Sequence, residues 1–397
     1  MNLSQIKLSK ISFNDRRLIS LSFILFLPIL LDFLIIVRGS QNSAVTMMIY
    51  AVSEIAIFLY AFRQIRFVNW IPLIIFALIC LISYSYDRSK YFSEPSFLIN
   101  TAFFIPIGTF IIFRIDNWNN FFRIFRLFSF AGVLMGAYIV ATQGIVEHGR
   151  NEFFSYMEFA YALLPCALGL YVYGSQHGKI IDIIVSLLGL GAMLSFGARA
   201  AVLYAFTFMA LFTILYSKAN KAIIVLFISA ILLIIFNLDV IANYLIQFDY
   251  FKNSRLLTAY IRGYAMESSG REFIYNVSIR KIDAMGVDVP GFFGSRIVLG
   301  NAIYPHNIVY EIMMDFGWIL GPVILIWISY LIFKDFVIKK YYVMTMFAVF
   351  GLLGRFFISG SYIIEGKFWI FLFIILSISH FCPINLQNKP EMKLHMK

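Results

Sequence analysis

Four polar side chains crowd the entry to an apolar run late in the chain. The stretch YPHNIVYEIMMDFGWILG, Tyr304 to Gly321, holds His306, Asn307, Glu311 and Asp315 within about three helical turns. A neutral imidazole here can take a proton from a hydroxyl, and a nearby carboxylate can orient it or compete for the role. A bilayer disfavours such groups by a few kcal/mol each, so each needs a partner or a task. Continued as a helix, the run puts His306, Tyr310, Met313, Gly317 and Gly321 on one stripe, with Asn307, Glu311 and Asp315 beside it. Asp315 then lies roughly 13 Å below His306 at 1.5 Å per residue, and reads as a structural group paired with a neighbouring helix. Gly317, Gly321 and Pro322 permit close packing or a bend below the polar groups. A merely hydrated helix end remains an alternative for the whole stretch.

Arginines supply the complementary chemistry. Ser269, Gly270, Arg271 and Glu272 fit a capping box, with a helix opening near Gly270 and Arg271 in its first turn. Free N–H groups and a guanidinium fork together suit phosphate or pyrophosphate. Arg199, in SFGARAAVL, sits among small residues that let a helix or headgroup approach; snorkelling to lipid phosphate explains it as well. GFFGSRIVLG surrounds Arg296 with Gly291, Gly294 and Gly300, which suits a backbone wrapped on a ligand and an ordinary loop equally. Arg355, between the last two apolar runs, joins the candidate anion binders. Arg255, Arg262 and Arg280 read as solvated or lipid-facing. The sequence holds no P-loop, no H-E-x-x-H, no D-x-D pair and no nucleophile elbow, so no cofactor, nucleotide or metal is expected.

The elements that must carry these groups follow from composition. The 397 residues are 61% hydrophobic and 13% charged, more apolar surface than a soluble chain of this length can hide. The expected fold is an all-α polytopic membrane protein. Apolar runs of about 17–25 residues recur at 18–37, 44–62, 67–86, 97–113, 124–143, 153–174, 180–196, 200–216, 221–238, 303–333, 341–360 and 363–381. That is about twelve spans, and the break at 196–200 is the least marked boundary. The first run is too long for a signal-peptide core and lacks a cleavage site, so it reads as a retained span. An even number of spans puts both termini on one side. Basic residues gather on that side, from Arg16, Arg17, Arg63 and Arg66 through Arg114, Arg123 and Arg126 to Lys334, Lys339 and Lys340. The positive-inside rule makes it cytoplasmic. The organisation expected is thus nine spans in 1–238, a large extracytoplasmic loop in 239–302, three spans in 303–381 and a cytoplasmic tail in 382–397. The loop's segments RLLTAYIRGYAM and REFIYNVSIRKIDAM both read as helices. Glu54 and Asp182 read as helix-packing groups. Cys80, Cys166 and Cys382 show no paired spacing and read as small hydrophobes. The net charge of +11 is accounted for by basic loops rather than a nucleic-acid surface.

SFGARAAVL, SSGREFIY, GFFGSR and YPHNIVYEIMMDFGWILG, in this order and with a large loop before a late span, resemble the O-antigen polymerase and ligase superfamily of bacterial envelope glycosyltransferases. The likeness covers roughly residues 150–330 by motif and the whole chain by layout. Tyr275 stands where many members have tryptophan, and Ile308 and Val309 where a leucine is common nearby. The resemblance implies a metal-independent glycosyltransferase, in the bacterial inner membrane with its site facing the periplasm. Its substrates would be undecaprenyl-pyrophosphate-linked oligosaccharides in lipopolysaccharide biosynthesis, with a chain-length regulator as partner. It implies Arg199 and Arg271 on the pyrophosphate and His306 on the acceptor, with Glu311 or Glu158 as competing bases. Arg296, Arg355, Asn307 and Tyr304 complete the expected substrate-binding set. Attack opposite the leaving group would invert C1. Polymerase is favoured over transfer of the glycan to lipid A–core. A flippase or secondary transporter of the same lipid-linked sugars is the alternative from another class, disfavoured because no internal repeat is evident.

Overall fold

The computed structural model describes residues 11–38, 43–62, 67–86, 90–143, 156–195, 198–216, 271–286, 288–300, 304–337 and 341–381, with a few isolated positions between 240 and 261. The described residues form helices and turns with no strand. The order is α1 (Phe13–Arg38), α2 (Ser43–Ala61), α3 (Trp70–Tyr86), α4 (Pro95–Ile99), α5 (Ile105–Phe110), α6 (Phe121–Gln143), α7 (Tyr156–His177), α8 (Ile180–Ser195) and α9 (Arg199–Tyr216). After the loop come α10 (Arg271–Met285), α11 (Gly294–Leu299), α12 (Ile308–Val337), α13 (Tyr342–Ala348) and α14 (Gly366–Phe381).

Six of these segments are long and apolar enough to cross a membrane, and five shorter apolar helices accompany them. The expected spans therefore have helical counterparts except 221–238, which lies outside the described residues, as do the tail, RLLTAYIRGYAM apart from Ile261, and Cys382. The outer surface is built for lipid. Leu59, Ile71, Ile82, Leu203, Ile319, Ile326 and Phe333 all point outward from their helices. A solvated protein would pay heavily for so large an apolar exterior, whereas hydrocarbon accepts it.

The centre is α7, packed by α1, α6, α8 and α9. Small residues bring the backbones together. A Cβ on Gly132 of α6 would lie 3.0 Å from the Cys166 sulfur, and one on Gly169 of α7 would lie 2.7 Å from the Phe125 ring. Without a hydrophobic force between helices in lipid, such close approach is what dispersion needs. Cys166 is fully buried at this seam, as a small hydrophobe should be.

Two expected continuous spans are broken. In 97–113 a π turn, Asn100–Phe104, separates α4 from α5. In 341–360, α13 passes into a π turn, Val349–Leu353, and a 3-10 turn, Gly354–Phe357. The third departure concerns the late polar run. Helix α12 starts at Ile308, so His306 precedes it with φ 55° and does not share a stripe with Tyr310 and Met313. Asn307 caps the helix, its side-chain oxygen accepting the Val309 N–H at 2.9 Å. The bend falls at Gly317 itself, with φ 69° and ψ −174°, a conformation that only glycine adopts without strain.

Polar contacts collect at the two ends of the bundle. At one end Arg17 donates to the Arg114 carbonyl at 2.8 Å, Arg126 pairs with Asp182 at 2.7 Å, and Lys334 donates to the Ser379 carbonyl at 3.2 Å. The other end brings together the starts of α7, α9, α10, α12 and α14 with the C-terminal half of α1.

The small-residue packing gives a paired expectation. Gly169→Ala should lower the thermal midpoint of the detergent-solubilised protein by an amount equivalent to about 1–3 kcal/mol. Gly191→Ala, where a Cβ meets nothing within 4 Å, should leave it unchanged or raise it slightly.

Candidate functional site

The turn between α13 and α14, residues 354–365, is irregular backbone at the end of the bundle. Two buried carboxylates of α12 hold it there. Glu311 accepts the Ser361 hydroxyl on one oxygen and the Tyr362 N–H at 3.2 Å on the other. Asp315, one helical turn further on, accepts the Tyr362 hydroxyl at 2.6 Å and the Ser295 N–H at 2.7 Å. Both carboxylates are completely buried. The expected structural role for Asp315 thus has named partners, from the 354–365 turn and from the first turn of α11. Glu311, expected to orient or rival His306, is engaged in the same anchoring and has no surface through which to meet a substrate.

The loop before α12 is clipped to the same turn. The Asn307 amide donates to the Phe357 carbonyl at 3.3 Å, and the Gly360 backbone hydrogen-bonds the Tyr304 hydroxyl. The Tyr304 and His306 rings lie 4.2 Å apart between centroids. His306 is half-buried, and its Nδ1 is shielded from solvent and makes no hydrogen bond among the described residues. Burial, with the nearby Arg271 guanidinium, holds the imidazole below its ordinary value of 6.5. The Tyr304 hydroxyl is pushed up, by burial first and by the Glu365 carboxylate second.

Arg271 opens α10, as expected; Ser269 and Gly270 of the capping box lie outside the described residues. This helix docks on α12 through the Tyr275–Tyr310 ring pair at 5.3 Å and a hydrogen bond from Trp318 to the Ile282 carbonyl at 3.1 Å. The docking brings Arg271 to His306. Arg199 is exposed at the first position of α9, and that helix packs Tyr204 against Gly354 of the turn.

Arg296 does not join this group. It is 4% exposed, its Nη1 contacts both oxygens of Glu94 at 2.8 and 2.9 Å, and its guanidinium lies over the Tyr91 and Phe293 rings. The surrounding glycines serve packing. Gly291, at φ 81°, leaves room for Ser83 of α3, and a Cβ on Gly294 would lie 3.0 Å from the Met314 carbonyl. The expectation that Arg296 binds substrate is corrected: at 4% exposure, with Nη1 held by Glu94 and rings against the guanidinium, it has little surface to offer a ligand.

Arg355 is also buried and paired, with Glu365 at 3.0 Å and Glu158 at 3.8 Å, but it borders open space. It lines a cavity of about 290 Å³ that also receives Asp32 from α1, Tyr50 from α2, Asn100 from the π turn, Glu158 from α7, and Glu365 and Lys367. Asn100 donates to the Ile363 carbonyl at 2.8 Å, fastening the π turn to the 354–365 turn. Asp32, Glu365 and Lys367 were not singled out from sequence. Asp32 is one acid in a long apolar run, and the other two flank a turn, so only the fold gathers them.

The arrangement can accept a proton at His306, hold negative charge at Arg271, and seat polar groups in the adjoining cavity. A scan against protein-family models and searches of curated proteins and of solved structures gave no match to this chain.

The anchoring role predicts a graded response. Asp315→Ala strands the Tyr362 hydroxyl and the Ser295 N–H, each costing about 1–3 kcal/mol. Its thermal midpoint should fall well below that of Asp315→Asn, which keeps one acceptor; equal midpoints would remove the anchor from the account.

Proposed function

We propose that the chain is an O-antigen polymerase, a metal-independent, inverting glycosyltransferase that joins undecaprenyl-pyrophosphate-linked repeat units at the outer face of the inner membrane. The observation that carries the reading is the unpartnered Nδ1 of a half-buried His306 set beside Arg271. The proposed layout is twelve spans with both termini cytoplasmic. The end of the bundle bearing Arg17, Arg114 and Arg126 is then cytoplasmic, and the His306 end periplasmic.

In the proposed step, the neutral imidazole accepts the proton of an acceptor-sugar hydroxyl while that oxygen forms a bond to C1 of the donor. The bond from C1 to the phosphate oxygen breaks, and the electron pair leaves with the lipid pyrophosphate. Arg271 and Arg199 balance the charge that builds there. Fixed cations near such charge in a water-poor site lower the barrier by several kcal/mol. Burial and Arg271 keep His306 unprotonated at neutral pH, which is the form a general base needs.

One feature favours a second reading. Five ionisable side chains around a cavity inside an apolar bundle also suit a transporter of lipid-linked sugars. Purified protein with the lipid-pyrophosphate repeat unit, and no nucleotide or metal added, separates the two: chain growth supports polymerase, and its absence with transbilayer movement in vesicles supports transport. A deletion strain separates polymerase, which leaves one repeat on the core, from ligase, which leaves none.

Arg271→Ala and Arg199→Ala should each abolish long-chain polysaccharide at unchanged protein level, and His306→Ala should cause a strong loss; normal chain-length ladders would remove these roles. The acid limb of kcat/KM should lie below pH 6.5, because the active neutral imidazole persists until pH falls through its lowered value. In Arg271→Gln the residual activity should show that limb moved upward, toward 6.5, as the repelling charge is gone.

A further inference from the structure

The cavity behind Tyr304 has a shape and a charge pattern that the glycosyl-transfer step does not use. Three carboxylates, Asp32, Glu158 and Glu365, face it against two cations, Arg355 and Lys367, a formal excess of one negative charge. We infer that this cavity seats one sugar ring bearing hydroxyls and an amine, and rejects acidic sugars. Resting on the proposed function, that ring belongs to the acceptor.

Size sets the first limit. About 290 Å³ is at the lower edge of ligand pockets, which span roughly 300–1,000 Å³, so one ring fits and an oligosaccharide or lipid tail does not. The wall chemistry sets the second. Arg355 is locked by its two carboxylates, with 9% of its side chain exposed, while Glu365 keeps 18% and Glu158 65%. Carboxylate oxygens at the cavity wall suit hydroxyl and ammonium donors. The Arg355 Nε is buried and makes no hydrogen bond among the described residues. Tyr50 and Phe104 supply flat apolar faces from two different elements. An ammonium would offset the formal excess of negative charge, whereas a sugar carboxylate would add to it.

Position supplies the link to the reaction. Gly360 holds the Tyr304 hydroxyl, and a Cβ on that glycine would sit 3.2 Å from Arg355 Nε. The Tyr304 ring in turn lies tilted against His306, with centroids 4.2 Å apart. The cavity is thus linked to the imidazole through Arg355, Gly360 and Tyr304.

The test uses the purified full-length chain in nanodiscs, with methyl glucosaminide, methyl glucoside and methyl glucuronide as probes of binding by saturation-transfer NMR. The expected order is glucosaminide, then glucoside, with glucuronide weaker than glucosaminide by about tenfold or more. Thr46→Phe, which fills the cavity from α2, should abolish binding of all three. The near-isosteric Asp32→Asn should keep the fold and shrink the preference for the amine. Equal binding of the three probes, or an unchanged order in Asp32→Asn, overturns the inference. The order with no chain growth in the reconstituted assay supports the cavity assignment and sinks the polymerase reading. Chain growth with an unaltered acceptor KM in Asp32→Asn does the reverse.

Discussion

Glu311 and Asp315 are the constraint on which the site depends. Two carboxylates at consecutive turns of a buried helix would be untenable alone, because desolvation disfavours each by several kcal/mol. Here each finds two donors, drawn from the 354–365 turn and the first turn of α11. The pairing acts in both directions. The donors make the acids tolerable, and the acids make a non-helical turn tolerable at the end of an apolar bundle. With that pairing removed, the turn would have the Asn307, Tyr304 and Asn100 contacts left to hold it in place.

Irregular backbone elsewhere obeys the same logic. Peptide groups inside hydrocarbon must be satisfied by the protein, so breaks occur only where they are buried or line a cavity. The π turn at Asn100–Phe104 and the π and 3-10 turns at 349–357 both border the charged cavity, and Asn100 ties one to the other through the Ile363 carbonyl. Each break re-aims a polar side chain, Asn100 or Arg355, that an unbroken helix would direct elsewhere. The bend at Gly317 has a comparable effect, since below it α12 turns its large apolar side chains outward while above it the carboxylates stay covered.

The arginines divide by what surrounds them. Arg296 is paired with Glu94 and enclosed by rings, Arg355 is paired but borders open space, and Arg271 and Arg199 occupy helix starts with surface left to offer. Type and spacing did not separate these four, because an arginine between glycines looks alike whether its fork meets a carboxylate or a ligand. The separation comes from Glu94, about two hundred residues away in sequence from Arg296, a distance no local pattern spans.

Composition and periodicity by themselves determined that the chain is helical and membrane-embedded, where most apolar segments begin and end, and that REFIYNVSIRKIDAM is a helix opening at Arg271. They did so because these properties are averages over neighbouring residues, and hydropathy or a helical repeat survives averaging. The tertiary structure alone decided that His306 lies before α12 rather than on it, that Glu311 is an anchor, and that Asp32, Glu158, Arg355, Glu365 and Lys367 share one cavity. Each of these rests on a single side chain meeting a distant partner. One acid in an apolar run barely moves a window average, and only packing reveals what it faces.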